Sequence, residues 1–300
     1  MTDSRDRWHR WLLDVRFGGD ADHRERMLDE WLYPVRDEIL DSAQLRATDT
    51  LLDVGTGDGL LAFGALDRLG PAGRVVFSDI SQDLLDHCRH AAGQGGQLGR
   101  CDFVLASADS LTDVPDGSVD VVTTRSVLIY VKDKAAALRE FYRVLKADGR
   151  ISLFEPINRL MSAAEPDRFG GYDIQPVAAI AEKVKAFHES LQPPDTDPML
   201  DFDERDLVRD AEAAGFGEVR LDLRVTVKSA KRPCPWGRFL RMSGNPLEPP
   251  LSEVLDIVLT AEEIGTFSDH LRPLVESGTG TERTALAYLT AFKMAQGEPR

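Results

Sequence analysis

Cysteine is scarce in this chain: three in 300 residues, Cys88, Cys101 and Cys234, odd in number and widely spaced. That excludes a disulfide framework and the paired spacings of a structural zinc site. A reducing cytoplasm is the setting such thiols fit. Long apolar runs are missing too. None approaches the ~18 residues that a membrane-spanning helix requires, so no membrane partner is expected. The opening stretch MTDSRDRWHRWLLDVRFGGD lacks the apolar centre of a secretory signal. Positive charge is also short: 36 Lys and Arg stand against 51 Asp and Glu, a net charge of −15. Binding to phosphate backbones needs a basic face, so small molecules are expected as partners and nucleic acid is not. At 42% hydrophobic and 29% charged the composition is that of a globular protein. The length suits one large α/β domain with a substantial cap.

Residues 4 to about 46 read as amphipathic helix. Trp8, Trp11, Leu12 and Val15 fall at helical spacing, and Phe17-Gly18-Gly19-Asp20 breaks the run. Asp20 is placed to cap a second helix carrying Met27, Leu28, Trp31 and Leu32. From 50 to 156 the chain alternates. Short apolar runs at Thr50–Val54, Arg74–Asp79, Asp102–Ala106, Val119–Thr124 and Arg150–Glu155 predict strands covered on both faces. Helical stretches at 60–69, 83–92 and 134–145 lie between them, which predicts a doubly wound parallel sheet. Residues 157–201 are rich in proline and glycine around one helix, Val177–Leu191, and read as an insertion over the open edge of the sheet. Phe202–Gly215 predicts a helix and Val219–Val227 an alternating strand. Pro233–Gly280 reads as a second, largely helical insertion, with helices at Leu251–Leu259 and Ala261–Leu271. Arg283–Lys293 fits either a strand or a helix; a final antiparallel strand is expected.

The strongest local signal is Leu51-Leu52-Asp53-Val54-Gly55-Thr56-Gly57-Asp58-Gly59. A strand runs into three glycines at alternate positions and then into a helix. Glycine permits a tight turn and a close approach of ligand to backbone. The dinucleotide fingerprint places its third glycine one residue later, where Leu60 stands here. Asp53 also sets this loop apart. An ionised carboxylate buried in an apolar strand needs a compensating partner. A cationic ligand group, such as the α-ammonium of S-adenosylmethionine, is one. Backbone N–H groups of the glycine loop are the alternative.

In open parallel sheets ligands bind beyond the carboxyl ends of the strands. Each strand here ends at or beside a polar or charged residue. Asp79 closes the second strand, 26 residues after Asp53 (79 − 53), near the ~20-residue spacing of an acid that accepts from ribose hydroxyls. Its alternative role is to cap the next helix, a job open to Ser81. Beyond the third strand, Asp109 beside Ala108 is placed to accept from an adenine amino group, or to cap a loop. The fourth strand ends at Thr124-Arg125 and the fifth at Glu155.

Four stretches, LLDVGTGDG, VVFSDIS, LASADSLTDVPDGSVDVVTTRSVLIYV and REFYRVLKADGRISLFEP, together resemble the class I S-adenosylmethionine-dependent methyltransferases. Within that class the similarity is to the small-molecule group that includes the ubiquinone/menaquinone C-methyltransferases. It spans about residues 50–156. The resemblance implies a Rossmann-like seven-stranded sheet whose last strand is antiparallel. It implies a helical cap at 1–46 and a methyltransferase domain at 47–300, with substrate-side insertions at about 157–201 and 233–280. It further implies that Asp53, Gly55, Thr56 and Gly57 hold the methionine part of S-adenosylmethionine, which leaves as S-adenosylhomocysteine. Asp79 corresponds to the ribose acid, Ile80 to the apolar residue beside adenine, and Ala108 with Asp109 to the adenine contact. Arg125 and Ser126 line the site near the sulfonium, where a small or amide residue is the family's usual choice.

Methyl transfer is an in-line displacement that depends on positioning and on excluding water. A hydroxyl, amine or carbon acceptor must also lose a proton. Glu155 is the candidate base, with a salt bridge to Arg125 as its alternative. Tyr130, Tyr172 and His188 are further candidates, and Trp236 with Tyr130 and Tyr172 is expected to wall the acceptor pocket. Trp8, Trp11 and Trp31 fit core, subunit contact or pocket equally. Arg16 stands at the helix break, either to meet the cofactor's carboxylate or as part of a plain turn. His87, Cys88 and His90 invite a metal reading, but no carboxylate cluster accompanies them, and no metal is expected. The function expected is methyl transfer to carbon, nitrogen or oxygen of a small molecule, in bacterial natural-product biosynthesis, by a homodimer. An NAD(P)-dependent oxidoreductase and a non-catalytic S-adenosylmethionine-binding protein are the alternatives.

Overall fold

The computed structural model describes residues 5–162 and 167–294. Seven strands form one twisted sheet: β1 (Thr50–Val54), β2 (Arg74–Asp79), β3 (Cys101–Leu105), β4 (Val119–Arg125), β5 (Leu145–Pro156), β8 (Glu218–Lys228) and β9 (Glu282–Phe292). The order is β3-β2-β1-β4-β5-β9-β8. The first five strands run parallel, and β9 is antiparallel to both its neighbours. The ambiguous C-terminal segment is therefore a strand, because pairing on both sides gives its alternating apolar residues two faces to fill. The strand boundaries shift a little from expectation. β3 starts and ends one residue earlier, and β5 starts five residues earlier, where Leu145 pairs with Val119 before an irregularity in the ladder.

Successive residues of each strand serve opposite faces. Leu51, Val75, Phe77 and Val121 pack under α3 (Tyr33–Ser42), α4 (Leu60–Arg68) and α5 (Gln82–Gln94). Leu52, Val122, Ile151 and Leu153 pack under α6 (Lys134–Val144) and α9 (Glu204–Ala214). A buried ion pair joins the end of α3 to the sheet: Arg150 reaches Asp49 at 2.6 Å and donates to the Ala43 carbonyl.

Two further layers stand over the carboxyl ends of the strands. One is N-terminal: α1 (Arg7–Arg10) continues as a π-helical turn, Trp11–Val15, and α2 (Ala21–Met27) as a second, Leu28–Leu32. Asp20 caps α2 by accepting from the His23 amide. The other layer combines the two insertions: the short hairpin β6–β7 (Arg168–Phe169 and Tyr172–Asp173), α8 (Ala178–Leu191), α10 (Trp236–Arg241), α11 (Leu251–Val258) and α12 (Ala261–Ser277), while α7 (Asn158–Ser162) leaves β5. This layer has its own apolar core, built on Tyr172, Val184, Val254, Phe267 and Leu271. The helix expected to stop at Leu271 runs through Pro273 to a left-handed Gly278.

The two layers meet directly. Trp11 Nε1 donates to the Ser243 carbonyl at 3.2 Å, Arg241 Nε to the Gly18 carbonyl at 3.0 Å, and Arg238 pairs with Asp20 at 3.2 Å. Among the described residues no helix is long and apolar enough to cross a membrane.

Candidate active site

Strand order reverses between β1 and β4, and a cavity of about 630 Å³ opens there, beyond the strand tips. Its position and size are those of a small-ligand site in an open α/β sheet. The glycine loop forms its floor. Gly55 holds φ +64°, and a Cβ there would stand 2.4 Å from Val127 Cγ2, so only glycine fits.

Asp53 is buried and lines the cavity. It accepts from the Thr56 and Thr123 hydroxyls at 2.9 and 3.0 Å and forms no ion pair with a described residue. Burial pushes its carboxyl up to about 7. The glycine-loop N–H goes instead to Asp79, which accepts from Gly57 at 2.9 Å and from the Ser81 amide at 2.9 Å. Burial raises Asp79 too. Ser81 caps α5, so Asp79 is not that helix's cap, and its carboxylate, which lines the cavity, has capacity to accept further hydrogen bonds. Ile80 is 53% exposed, an apolar surface at the cavity wall with no protein cover. Ala108 and Asp109 line the same end, where Asp109 accepts from Ser107.

A buried carboxylate with no direct ion pair, an acid at the tip of β2 and an uncovered isoleucine, all lining one cavity, fit one group: ammonium, ribose and adenine in a row. The donor set thus matches S-adenosylmethionine on chemistry alone.

The far side of the cavity departs from expectation. Glu155 is 1% exposed and does not line it. Both its oxygens are engaged by backbone, accepting from the amides of Val127 and Leu128 at 2.9 Å and of Ile129 at 3.3 Å. Burial pushes its carboxyl up to about 7. Ser126, held at φ +56°, turns the chain so that these three amides converge. Glu155 is therefore a fastener of the turn after β4 rather than a base at the rim, and it forms no ion pair with Arg125. Tyr172 and Trp236 are also displaced from the pocket. Tyr172 lies in the core of the insertion layer, and Trp236 stacks there on Phe239 at 5.6 Å. The insertion layer reaches the cavity with other residues, Met199, Met242, Ser243 and Gly244, while Tyr172 and Trp236 are taken up by its core. His188 stands near Glu248, 3.4 Å away, outside the cavity lining.

Tyr130 does line the cavity, with Trp8 edge-on at 5.0 Å. So do residues with no specific signal in the sequence: Phe17, His23, Met27, Met199 and Met242. Trp11 and Trp31 join them from the two π-helical turns, at helical spacing from Trp8 and Met27. Burial, with the charges of Arg238 and Arg26, holds His23 below the usual histidine range. Arg16 and Arg125 face the same space. Among the described residues no three His, Cys, Asp or Glu side chains gather as metal ligands.

A glycine loop, acids at successive strand tips and this strand order define an α/β protein that binds an adenosine-containing cofactor. The comparisons with known proteins give the family. Residues 52–153 match the methyltransferase domain family. Nocamycin O-methyltransferase of Saccharothrix syringae is 33% identical over 285 residues, covering 90% of this chain and 95% of that protein. A ubiquinone/menaquinone biosynthesis C-methyltransferase of Enterobacter is 34% identical over 156 residues; the match covers 51% of this chain and only 60% of that relative's length. The solved structure of the YcgJ protein of Bacillus subtilis superposes with a TM-score of 0.54 at 18% identity, covering 88% of this chain and 99% of that one, a likeness of fold. The chain belongs to the class I S-adenosylmethionine-dependent methyltransferases, in the group that resembles the ubiquinone/menaquinone enzymes. S-adenosylmethionine is its cofactor, which removes the nicotinamide reading.

Proposed function

We propose that this chain transfers a methyl group from S-adenosylmethionine to a small molecule with a large apolar body. The observation that carries the reading is a single cavity with two unlike sides: carboxylates along the strand tips, and Trp8, Trp11, Phe17, Trp31, Met199 and Met242 facing them. In this reading Asp53 receives the ammonium and Gly55, Thr56 and Gly57 follow the methionine chain. Asp79 accepts from the ribose hydroxyls, Ile80 covers the adenine face, and Ala108 with Asp109 meets its edge. Arg125 and Tyr130 border the reacting methyl. When bound, the cofactor supplies an electrophilic methyl group. The N-terminal helices and the insertion layer, latched by Arg238–Asp20 and Trp11–Ser243, keep water out while the acceptor is held in line.

The relative that makes nocamycin's methyl group its business supports a place in natural-product tailoring. The three free thiols fit a reducing cytoplasm. The acidity of the chain keeps nucleic acid out of the proposal, and a homodimer stays within it, to be read by light scattering.

Calorimetry with S-adenosylmethionine and S-adenosylhomocysteine tests the reading. Micromolar binding of either, lost in Asp79→Ala, is expected. No binding of either compound to the intact protein would sink it.

A further inference from the structure

Most arginines described in this chain have partners: Arg150 with Asp49, Arg143 with Glu140 and Asp116, Arg238 with Asp20. Arg16 and Arg125 are different. Both line the cavity, and the side chain of neither makes a hydrogen bond or an ion pair with a described residue. Arg16 leaves the end of the first π-helical turn, its guanidinium 5.4 Å from the Trp11 ring centre and 5.2 Å from that of Phe17. Arg125 stands at the tip of β4, on the turn that Glu155 fastens. Burial, and then the charge of Arg125, depress the Arg16 guanidinium to about 10, so the two cations feel each other across the same space. The Asp58 carboxylate, on the same cavity wall, acts on both by its charge, as Asp53 does on Arg125, but neither guanidinium is held in a direct ion pair. Two half-buried guanidiniums facing one cavity without a direct partner suit an incoming anion.

The cofactor brings a single carboxylate. Arg16, on the N-terminal layer that covers the glycine loop, is placed to meet it. That leaves Arg125, beside the reacting methyl, without a directly paired anion. The base expected at this position is also absent, because Glu155 is withdrawn into the backbone of the turn. Both facts have one explanation.

We propose that the methyl acceptor binds and reacts as an oxygen anion, a carboxylate or an acidic enolate on an apolar body, anchored by Arg125. This rests on the methyltransferase reading above and specifies its substrate class. The acceptor's oxygen lone pair forms the new O–CH₃ bond as the C–S bond breaks and its electron pair leaves on sulfur. The anion and the sulfonium neutralise each other, no proton has to depart, and no base is needed. Arg125 donates to the acceptor's second oxygen, which fixes the attacking one in line. The apolar wall of Trp8, Trp31, Met199 and Met242 takes the rest of the molecule.

The test uses the full chain loaded with S-adenosylhomocysteine and compares two probe pairs by calorimetry or ligand-observed NMR: octanoate against octanamide, and 4-phenylbutyrate against its amide. The carboxylates are expected to bind at least tenfold tighter than the amides. Arg125→Gln is expected to erase that preference while S-adenosylhomocysteine affinity moves by less than threefold. Arg16→Gln is expected to do the reverse. The proposal is overturned if no carboxylate binds at millimolar concentration, or if acid and amide bind alike. It is equally overturned if Arg125→Gln weakens S-adenosylhomocysteine tenfold and leaves the acid-to-amide ratio unchanged. If the unaltered protein binds no S-adenosylhomocysteine, the cofactor reading itself has failed, an outcome separate from these.

Discussion

Asp53 makes cofactor affinity a function of pH, and the size of the effect follows from its burial. The carboxyl is pushed up from 3.8 to about 7 by burial, which outweighs the Thr56 and Thr123 hydroxyls and the charge of Arg125. The native state therefore keeps a proton that the unfolded chain releases near pH 4. That contribution to stability is complete below about pH 4 and is lost as pH rises through 7. An ammonium beside Asp53 favours the ionised form and reverses the penalty. About half of the Asp53 population is ionised at pH 7 and about 3% at pH 5.5, so the Kd for S-adenosylhomocysteine should rise about sixteenfold across that interval. At pH 6 roughly 0.9 proton should be released per ligand bound, visible as a dependence of the calorimetric heat on buffer ionisation. Working above pH 5.5 keeps the protein clear of its isoelectric point near 4.9. Asp53→Asn should bind more weakly and show a flat profile. A Kd for the unaltered protein that changes less than threefold between pH 7 and 5.5 would refute the placement of the ammonium at Asp53.

Other expectations follow from the same geometry. Asp79→Asn should weaken S-adenosylhomocysteine by at least about tenfold, the worth of a hydrogen bond to a charged group, while adenosine-free ligands are unaffected. Glu155→Ala should cost at least about 3 kcal/mol in urea unfolding, because three buried amides lose their acceptor together. Glu155→Gln keeps one acceptor oxygen and should cost less. It should also flatten part of the stability lost between pH 5 and 7.5, since the Glu155 carboxyl, raised to about 7, releases its native-state proton in that window. Gly18→Ala forces a side chain into φ +62° and within 3.1 Å of Arg238 Cγ. It should loosen the contact between the two covering layers at a cost of about 1–2 kcal/mol, seen as faster proteolysis after residue 16 with S-adenosylhomocysteine affinity lowered. Unchanged proteolysis would argue against the latch.

The strand-tip side of the cavity was legible in the sequence because its signals are local. Asp53, Gly55 and Gly57 are consecutive neighbours on one strand-to-helix turn, and Asp79 and Asp109 sit at strand tips whose positions follow from apolar runs. A parallel sheet brings such tips to one edge whatever else the chain does. The acceptor half was not legible. Trp236 and Tyr172 had the right residue types in the right insertions, yet side chains in a layer with its own core are claimed by that core. Trp11 and Trp31 line the cavity on the same helical stripes as Trp8 and Met27, but such a stripe reads equally as core, subunit contact or pocket wall until the layer is docked on the sheet.

The sequence by itself determined the five parallel strands, the helices between them and the acids at the strand tips, since periodicity and turn chemistry act over a few residues. Only the tertiary structure decided what Glu155 and Arg125 do. A carboxylate and a guanidinium on adjacent strand ends look like a salt bridge until the turn between them folds. Backbone amides then occupy the carboxylate, and the guanidinium is left on the cavity wall with no direct ion pair to a described residue.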